Sequence, residues 1–192
     1  MKKSTKEKAL DEGLALLQQH GYHGFSFQDI ADKLKLKKPS LYDHYASKEE
    51  LVVAIIDDYR IRFDIWTRAI ENLSSIEKIQ KVFDVFYSFA SDKAKVCPIL
   101  ALSLDLQGVT RLIQKEMKSF VDAWLVWLAA QIRVGQDLGQ IRSDIESTLL
   151  ATFIYSQAMG SQVQARIKKD PALTLESRDQ IVTLIKNPGM LK

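Results

Sequence analysis

The fold is decided by residues 26–50, whose sequence is SFQDIADKLKLKKPSLYDHYASKEE. Ser26, with Asp29 three residues later, is typical of a helix start, and apolar residues at helical spacing follow it. Pro39 opens a second short helix, in whose first turn its missing N–H costs nothing. Ser47, followed by Lys-Glu-Glu, starts a third helix. Two short helices joined by a tight turn, with a third directly after them, predict a helix-turn-helix, a motif typical of DNA-binding proteins.

The positive charge of the chain is concentrated in the same region. Residues 1–48 hold nine lysines and six acidic residues, a balance of +3, whereas residues 49–192 hold eighteen basic and eighteen acidic residues. A net charge of +3 could on its own reflect ordinary solvated lysines. Its coincidence with the helix-turn-helix favours contact with phosphate.

Length and composition indicate a folded protein of one large domain or two small ones. The chain has 192 residues, of which 46% are apolar, enough to bury a substantial core. No apolar run follows the N-terminal charges, and the longest uninterrupted apolar stretch covers only residues 123–130, so neither a signal peptide nor a membrane span is predicted. The single cysteine, Cys97, fits a reducing compartment. We therefore expect a cytoplasmic protein.

Helical periodicity extends through the rest of the chain. Because strand alternation and hairpin signals are absent, the sequence predicts an all-α fold. The expected helices cover about residues 4–20, 26–34, 38–44, 48–72, 75–91, 98–108, 110–135, 143–169 and 173–186. We expect an N-terminal three-helix helix-turn-helix domain over residues 1–47 and a helical C-terminal domain over residues 48–192.

Four motifs in one register resemble the DNA-binding domain of the TetR family of transcriptional regulators. They are GYHG at 21–24, SFQDIA at 26–31, SLYDHY at 40–45 and SKEEL at 47–51. The resemblance implies a C-terminal ligand-binding and dimerisation domain, with a homodimer formed through about residues 145–186. It also implies a repressor that a small apolar or amphipathic effector releases from a palindromic operator in double-stranded DNA.

The turn between the two short helices departs from that family. Lys35 and Lys37 stand where the family usually has a small residue, often Gly, and then Ser or Thr. No arginine precedes Arg60, so the commonest bidentate reader of guanine is absent from the predicted domain. Base selection is expected to use lysine, serine and tyrosine, together with the apolar surface of Pro39 against a thymine methyl.

Candidates for DNA contact lie at the starts of three helices. The free N–H groups of a helix N-terminus suit Ser26 and Gln28 to anchoring a phosphate. The recognition helix is expected to bring five side chains to bases or phosphates: Lys37, Lys38, Pro39, Ser40 and Tyr42. Tyr42, His44 and Lys48 resemble family positions that contact phosphate, with packing or capping as the alternative for Tyr42 and His44.

Other residues of this segment are expected to have structural roles. We expect Leu41 and Tyr45 to face inward and Lys33 and Lys35 to lie on a solvated face. Asp43 could accept a hydrogen bond from cytosine, but an ion pair with a nearby lysine is the favoured interpretation.

The C-terminal half is rich in aromatic residues at helical spacing. Such side chains can line a mostly apolar effector cavity, although plain core packing is the alternative for each of them. The candidates are Tyr59, Phe63, Trp66, Phe83, Phe86, Tyr87, Phe120, Trp124 and Trp127. Cys97, between Lys95 and Pro98 at a helix start, could sense oxidants or electrophiles. A buried, inert thiol is the favoured interpretation.

Catalytic and metal-binding patterns are absent from the sequence. There is no Walker glycine loop, no Gly-x-Ser-x-Gly and no His-Glu-x-x-His, and the three histidines do not match a metal-ligand spacing. We expect no enzyme activity, no metal and no cofactor. The alternative to a DNA-binding regulator is a helical small-molecule or protein-binding module without operator-specific binding. Salt-sensitive, sequence-specific retention of DNA would discriminate the two.

Overall fold

A computed structural model describes residues 3–92 and 95–187 of the chain. This part contains nine α-helices and no β-strand, so the predicted all-α fold is confirmed. The helices are α1 (Thr5–His20), α2 (Phe27–Leu34), α3 (Pro39–Tyr42), α4 (Lys48–Ala69), α5 (Ser75–Ser91), α6 (Pro98–Ser103), α7 (Arg111–Asp137), α8 (Ser147–Lys168) and α9 (Ala172–Ile185).

Local sequence signals explain where several helices begin. Capping boxes start α1, α2 and α5, where an N-cap serine accepts a backbone N–H and the acidic residue three positions later accepts the serine N–H. Pro39 and Pro98 occupy the first positions of α3 and α6. The predicted helix start at Ser26 is therefore confirmed.

Three helices are shorter than their sequence pattern predicts. Helix α3 is only four residues long, because the chain turns at His44, whose N–H bonds to the carbonyl of Leu41. Helix α6 ends at Ser103, and a turn closed by the N–H of Gly108 on the carbonyl of Asp105 follows it. Helix α8 begins at residue 147 rather than 143, since the carboxylate of Asp144 pairs with Arg142 instead of capping a helix.

The contacts within the chain define two compact units. The first contains residues 1–65 and 97–120, and the second contains residues 66–96 and 121–192. Helices α4 and α7 therefore contribute residues to both units. The expected division at residue 47 concerns functional domains and stays a prediction.

In the first unit, α1 packs against α2 and α6. Its core includes the fully buried side chains of Leu17, Ile30, Leu51 and Ile55. Leu41 and Tyr45 are also buried, at 1% and 3% exposure, which confirms that they face inward. They hold the short α3 against the rest of the unit.

In the second unit, α5, α8 and α9 pack against one another. Phe83, Leu128 and Ile154 are fully buried there. The guanidinium of Arg178 on α9 lies 3.2 Å from a carboxylate oxygen of Asp84 on α5. This ion pair joins two helices of the core at its edge.

Candidate DNA interface and effector-binding residues

The start of α2 is closed by its own side chains. The hydroxyl of Ser26 accepts the N–H of Gln28 at 3.2 Å, and the carboxylate of Asp29 accepts the N–H of Ser26 at 2.7 Å. The side-chain amide of Gln28 donates to Asp32 at 2.7 Å. Ser26 and Gln28 are both exposed, but their N–H groups serve the cap in this structure, so a phosphate would have to compete with it.

The turn after α2 contains a lysine in a left-handed conformation. Lys35 has φ 55° and ψ 43°, and its N–H donates to the carbonyls of Ala31 and Asp32. This is the position at which glycine commonly ends a helix, because glycine has no Cβ to clash. The departure seen in the sequence is thus accommodated by a lysine in the same backbone geometry.

The approach to α3 presents unpaired cations. Lys37 and Lys38 are exposed, and neither has an ion pair among the residues that the structure describes. Lys33, by contrast, lies 2.6 Å from a carboxylate oxygen of Glu12. The expected ion pair of Asp43 with a lysine is not present in the described part of the chain. Lys35, Lys37 and Lys38 are therefore the exposed lysines of this segment without an ion pair in the described part of the chain, and Lys37 and Lys38 directly precede α3.

The remaining candidates on α3 lie at the surface to different degrees. Pro39 is exposed, whereas Ser40 and His44 are half-buried. Tyr42 is 48% exposed, and its ring packs on Phe27 with the ring centroids 5.1 Å apart. Packing and DNA contact are compatible for Tyr42, because its ring is supported while its other side faces solvent.

Lys48 is half-buried, and its ammonium is bound to the backbone of the first unit. Its ammonium donates to the carbonyls of Tyr22 and Phe25, and its Nζ lies 4.6 Å and 4.1 Å from the centroids of their rings. Burial lowers the pKa of Lys48, while the carboxylates of Asp105 and Asp29 act in the opposite direction. Two of its three donors are occupied, so its role as a phosphate contact stays a prediction that this geometry does not favour.

Asp105 is a functional candidate that the sequence did not single out. Its carboxylate oxygen accepts the N–H of Tyr22 at 2.8 Å and that of His23 at 3.4 Å. Asp105 follows α6, 83 residues from Tyr22 along the chain. No local pattern carries a signal over such a separation.

Cys97 is a buried thiol at the start of α6. It is 3% exposed, and burial raises its pKa to about 11, although the N–H groups of Leu100 and Ile99 act in the opposite direction. Because the thiolate is the reactive form, this environment favours an inert thiol over a sensor.

The predicted effector-binding aromatics occur in both units. In the first unit, the ring of Phe120 lies 5.5 Å from that of Tyr59 and 5.9 Å from that of Phe63. Tyr59 also contacts the thiol of Cys97. Phe120 is buried, whereas Tyr59 and Phe63 are half-buried.

In the second unit, three tryptophans form a continuous ring cluster. The ring of Trp66 lies 5.5 Å from that of Trp124 and 5.2 Å from that of Trp127. Phe86 and Tyr155 flank Trp124 at 6.3 Å and 6.1 Å. The sequence analysis did not identify Tyr155. It lies on α8, apart in the sequence from the other aromatics of this cluster. Phe83, which is fully buried, and Tyr87, which is half-buried, are the other candidates in this unit.

Helices α8 and α9 carry exposed apolar side chains. Leu149 and Phe153 on α8 are 62% and 49% exposed, and Leu184 on α9 is 55% exposed. Together with Ile145 and Ile185 they line a groove of about 330 Å³. These residues lie within the segment for which homodimer contacts are predicted.

Two properties of the described residues bear on the class of protein. None of the described helices is both long and apolar enough to cross a membrane. Among the same residues, no group of three or more histidine, cysteine and acidic side chains has the geometry to hold a metal ion.

Comparison with known proteins gives matches along nearly the whole chain. Residues 9–55 match the family model of bacterial regulatory proteins, tetR family, and residues 75–181 match a tetracyclin repressor-like C-terminal domain. A TetR transcriptional regulator from Legionella pneumophila is 31% identical, with a TM-score of 0.88 over 96% of this chain and 99% of that chain.

One further structure supports the fold, and one further relative supports the sequence match. A TetR-family regulator from Agrobacterium tumefaciens is 18% identical and has a TM-score of 0.89, covering 94% of this chain and 97% of that chain. The HTH-type transcriptional repressor DhaR of Mycobacterium sp. (strain GP1) is 23% identical over 94% of this chain and 90% of its own length.

Proposed function

Because this chain belongs to the tetR family of bacterial regulatory proteins, we propose that it is a repressor that a small molecule releases from its DNA operator. It is a ligand-responsive DNA-binding transcriptional regulator. The repressing direction is supported by the relative DhaR, whose name is that of a transcriptional repressor. We further propose that it acts in the cytoplasm.

The observation that carries this proposal is the surface around α3. Lys37 and Lys38 are exposed and have no ion pair among the described residues, and they precede the exposed Pro39 and the half-exposed ring of Tyr42. In the proposed complex, Lys37 contacts phosphate, Lys38 contacts both phosphate and a base edge, and Pro39, Ser40 and Tyr42 meet base edges or the DNA backbone. The buried Leu41 and Tyr45 keep this short helix in place.

We propose that the regulator acts as a homodimer through α8 and α9. Support comes from the exposed apolar groove of Leu149, Phe153 and Leu184, because a second copy can cover side chains that water surrounds in the monomer. A two-fold dimer presents two copies of α3, so its operator is a palindrome with half-sites about one or more DNA turns apart.

We propose that the effector is a small apolar or amphipathic molecule bound among the predicted aromatics. The tryptophan cluster of the second unit supports this, since the half-buried indole rings of Trp66 and Trp127 offer apolar surface at one place. If effector and operator are coupled, each weakens the binding of the other by the same factor. Apolar compounds that raise the melting temperature should therefore lower operator affinity in a titration.

The proposed function is tested by selection of bound sequences from a random DNA pool. The expected result is a palindromic consensus that is retained at salt concentrations which elute scrambled DNA. A dimer with equal affinity for every sequence would contradict operator-specific binding. An asymmetric single site bound by a monomer would contradict the proposed symmetry while leaving DNA binding in place.

A further inference from the structure

Residues 22–25, which precede the cap of α2, are held from two sides by opposite charges. On one side, the carboxylate of Asp105 accepts the N–H groups of Tyr22 and His23. On the other, the ammonium of Lys48 donates to the carbonyls of Tyr22 and Phe25. Both polar groups of the Tyr22 backbone are thus bound to charged side chains from outside the segment, in the stronger class of hydrogen bonds.

The two holders come from different elements of the first unit. Lys48 is the first residue of α4, and Asp105 lies in the connection between α6 and α7. The same connection also bonds directly to α4, because the hydroxyl of Thr110 donates to a carboxylate oxygen of Glu49 at 2.7 Å. Residues 22–25 are therefore fixed relative to the start of α4.

Glycines give Asp105 and the connection their close approach. Gly21 has φ 76°, and a Cβ at this position would lie 2.9 Å from the Asp105 carboxylate oxygen. A Cβ on Gly108 would lie 1.9 Å from Nε2 of His23. A Cβ at Gly21 would displace the Asp105 carboxylate, and a Cβ at Gly108 would displace the His23 ring.

We propose that Asp105 and Lys48 are positioning residues for DNA binding. By holding residues 22–25 between them, they fix the orientation of α2, which follows these residues, and of α3 after it. This inference rests on the proposed function. It assigns Lys48 a role inside the protein instead of at a phosphate, and it makes the connection after α6 a determinant of operator affinity.

Because Asp105 is negatively charged, its role can be tested by whether its removal strengthens or weakens operator binding. Removing a negative charge from a DNA-binding unit should by itself strengthen DNA binding. A positioning role predicts the opposite, with Asp105→Ala binding the selected operator about tenfold more weakly, because two charge-assisted bonds are lost. Asp105→Asn, whose carbonyl oxygen still accepts an N–H, should lie between Asp105→Ala and the wild-type protein.

Asp57 offers a matched control. It is an exposed carboxylate on α4 with no ion pair or side-chain hydrogen bond among the described residues. Asp57→Asn removes the same charge from the same unit and should bind the operator as tightly as the wild-type protein or slightly more tightly. The wild-type affinity for the operator is measured in the same series, so a failure of DNA binding itself is recognised separately.

Amide hydrogen exchange identifies the bonds directly. In Asp105→Ala, the amides of Tyr22 and His23 should lose protection while those in the middle of α4 keep it. For Lys48→Ala, the expected result is weaker operator binding with an unchanged salt slope, since loss of a direct phosphate contact would reduce the slope by about 0.9.

Three outcomes would overturn the proposal. One is operator affinity of Asp105→Ala at or above the wild-type value, and another is protection of the two amides that persists without the carboxylate. The third is a reduced salt slope in Lys48→Ala, which would show that Lys48 contacts a phosphate directly. If Asp105→Ala fails to fold, Asp105→Asn decides the first two questions.

Discussion

At the scale of single residues, two lysines occupy a backbone conformation that usually belongs to glycine. Lys35 and Lys169 both have φ 55°, and each ends a helix. A left-handed conformation is unfavourable for a residue with a Cβ, so each position stores a small amount of backbone strain. That strain is local and can be measured by substitution.

Lys35→Gly should stabilise the protein. Relief of the left-handed conformation outweighs the added freedom of glycine in the unfolded chain, so we expect a gain of roughly 0.5–1 kcal/mol in the free energy of unfolding. Lys33→Gly, two residues earlier within α2, is the control and should cost about 1 kcal/mol, because glycine weakens a helix and the ion pair with Glu12 is lost as well. The check is urea unfolding of both variants. A loss of stability in Lys35→Gly would show that the lysine side chain contributes more than its backbone conformation costs.

Cys97 should resist thiol reagents in the folded protein. Its pKa is raised to about 11, above the ordinary value of a thiol, so at pH 7.5 even less thiolate is present than in a free cysteine, and burial blocks access to it. We expect a colorimetric disulfide reagent to label Cys97 only as fast as the protein unfolds. Labelling in urea gives the rate for the accessible thiol. Rapid labelling without denaturant would show that the folded protein has a reactive thiol, as the sensor interpretation requires.

At the scale of elements, α3 shows which parts of a site the sequence can predict. The helix start at Pro39 and the inward direction of Leu41 and Tyr45 follow from spacing within a few residues, and the structure confirms both. The position of Lys48 could not be predicted in the same way, because it depends on the carbonyls of Tyr22 and Phe25, which only the folded chain brings to it. Short-range patterns predict helices and their faces, whereas the partners of a charged side chain depend on tertiary contacts.

The contribution of a lysine near α3 to DNA binding should depend on whether it already has an ion-pair partner within the protein. Lys38→Ala should weaken operator binding, reduce the salt slope by about 0.9 and relax discrimination between operator and scrambled DNA. Lys33→Ala serves as the control, since the ammonium of Lys33 already pairs with Glu12. Fluorescence anisotropy at several salt concentrations measures both quantities. Equal losses in the two variants would mean that the ion pair with Glu12 does not keep Lys33 from DNA.

At the scale of the whole molecule, the exposed groove on α8 and α9 should determine the oligomeric state. Phe153→Glu places a charge on a side chain that the proposed partner copy would cover, so we expect it to shift the dimer towards monomer and to weaken operator binding. Val126→Glu on α7, at a side chain that is 72% exposed and does not line the groove, is the control. Sedimentation velocity reports the assembly. A dimer that persists in Phe153→Glu would place the interface elsewhere.

The composition of the first unit has a consequence for how the protein is made. Its residues come from two stretches, 1–65 and 97–120, and the second stretch supplies α6, which packs against α1, and Asp105, which holds Tyr22. During synthesis the ribosome therefore releases residues 66–96, which belong to the other unit, before the first unit has all its parts. The DNA-binding segment cannot reach its final form on a nascent chain until about residue 120 has emerged. For the same reason, a chimera that contains only residues 1–47 of this protein would include α2 and α3 but lack α6 and Asp105, which contact α1 and Tyr22.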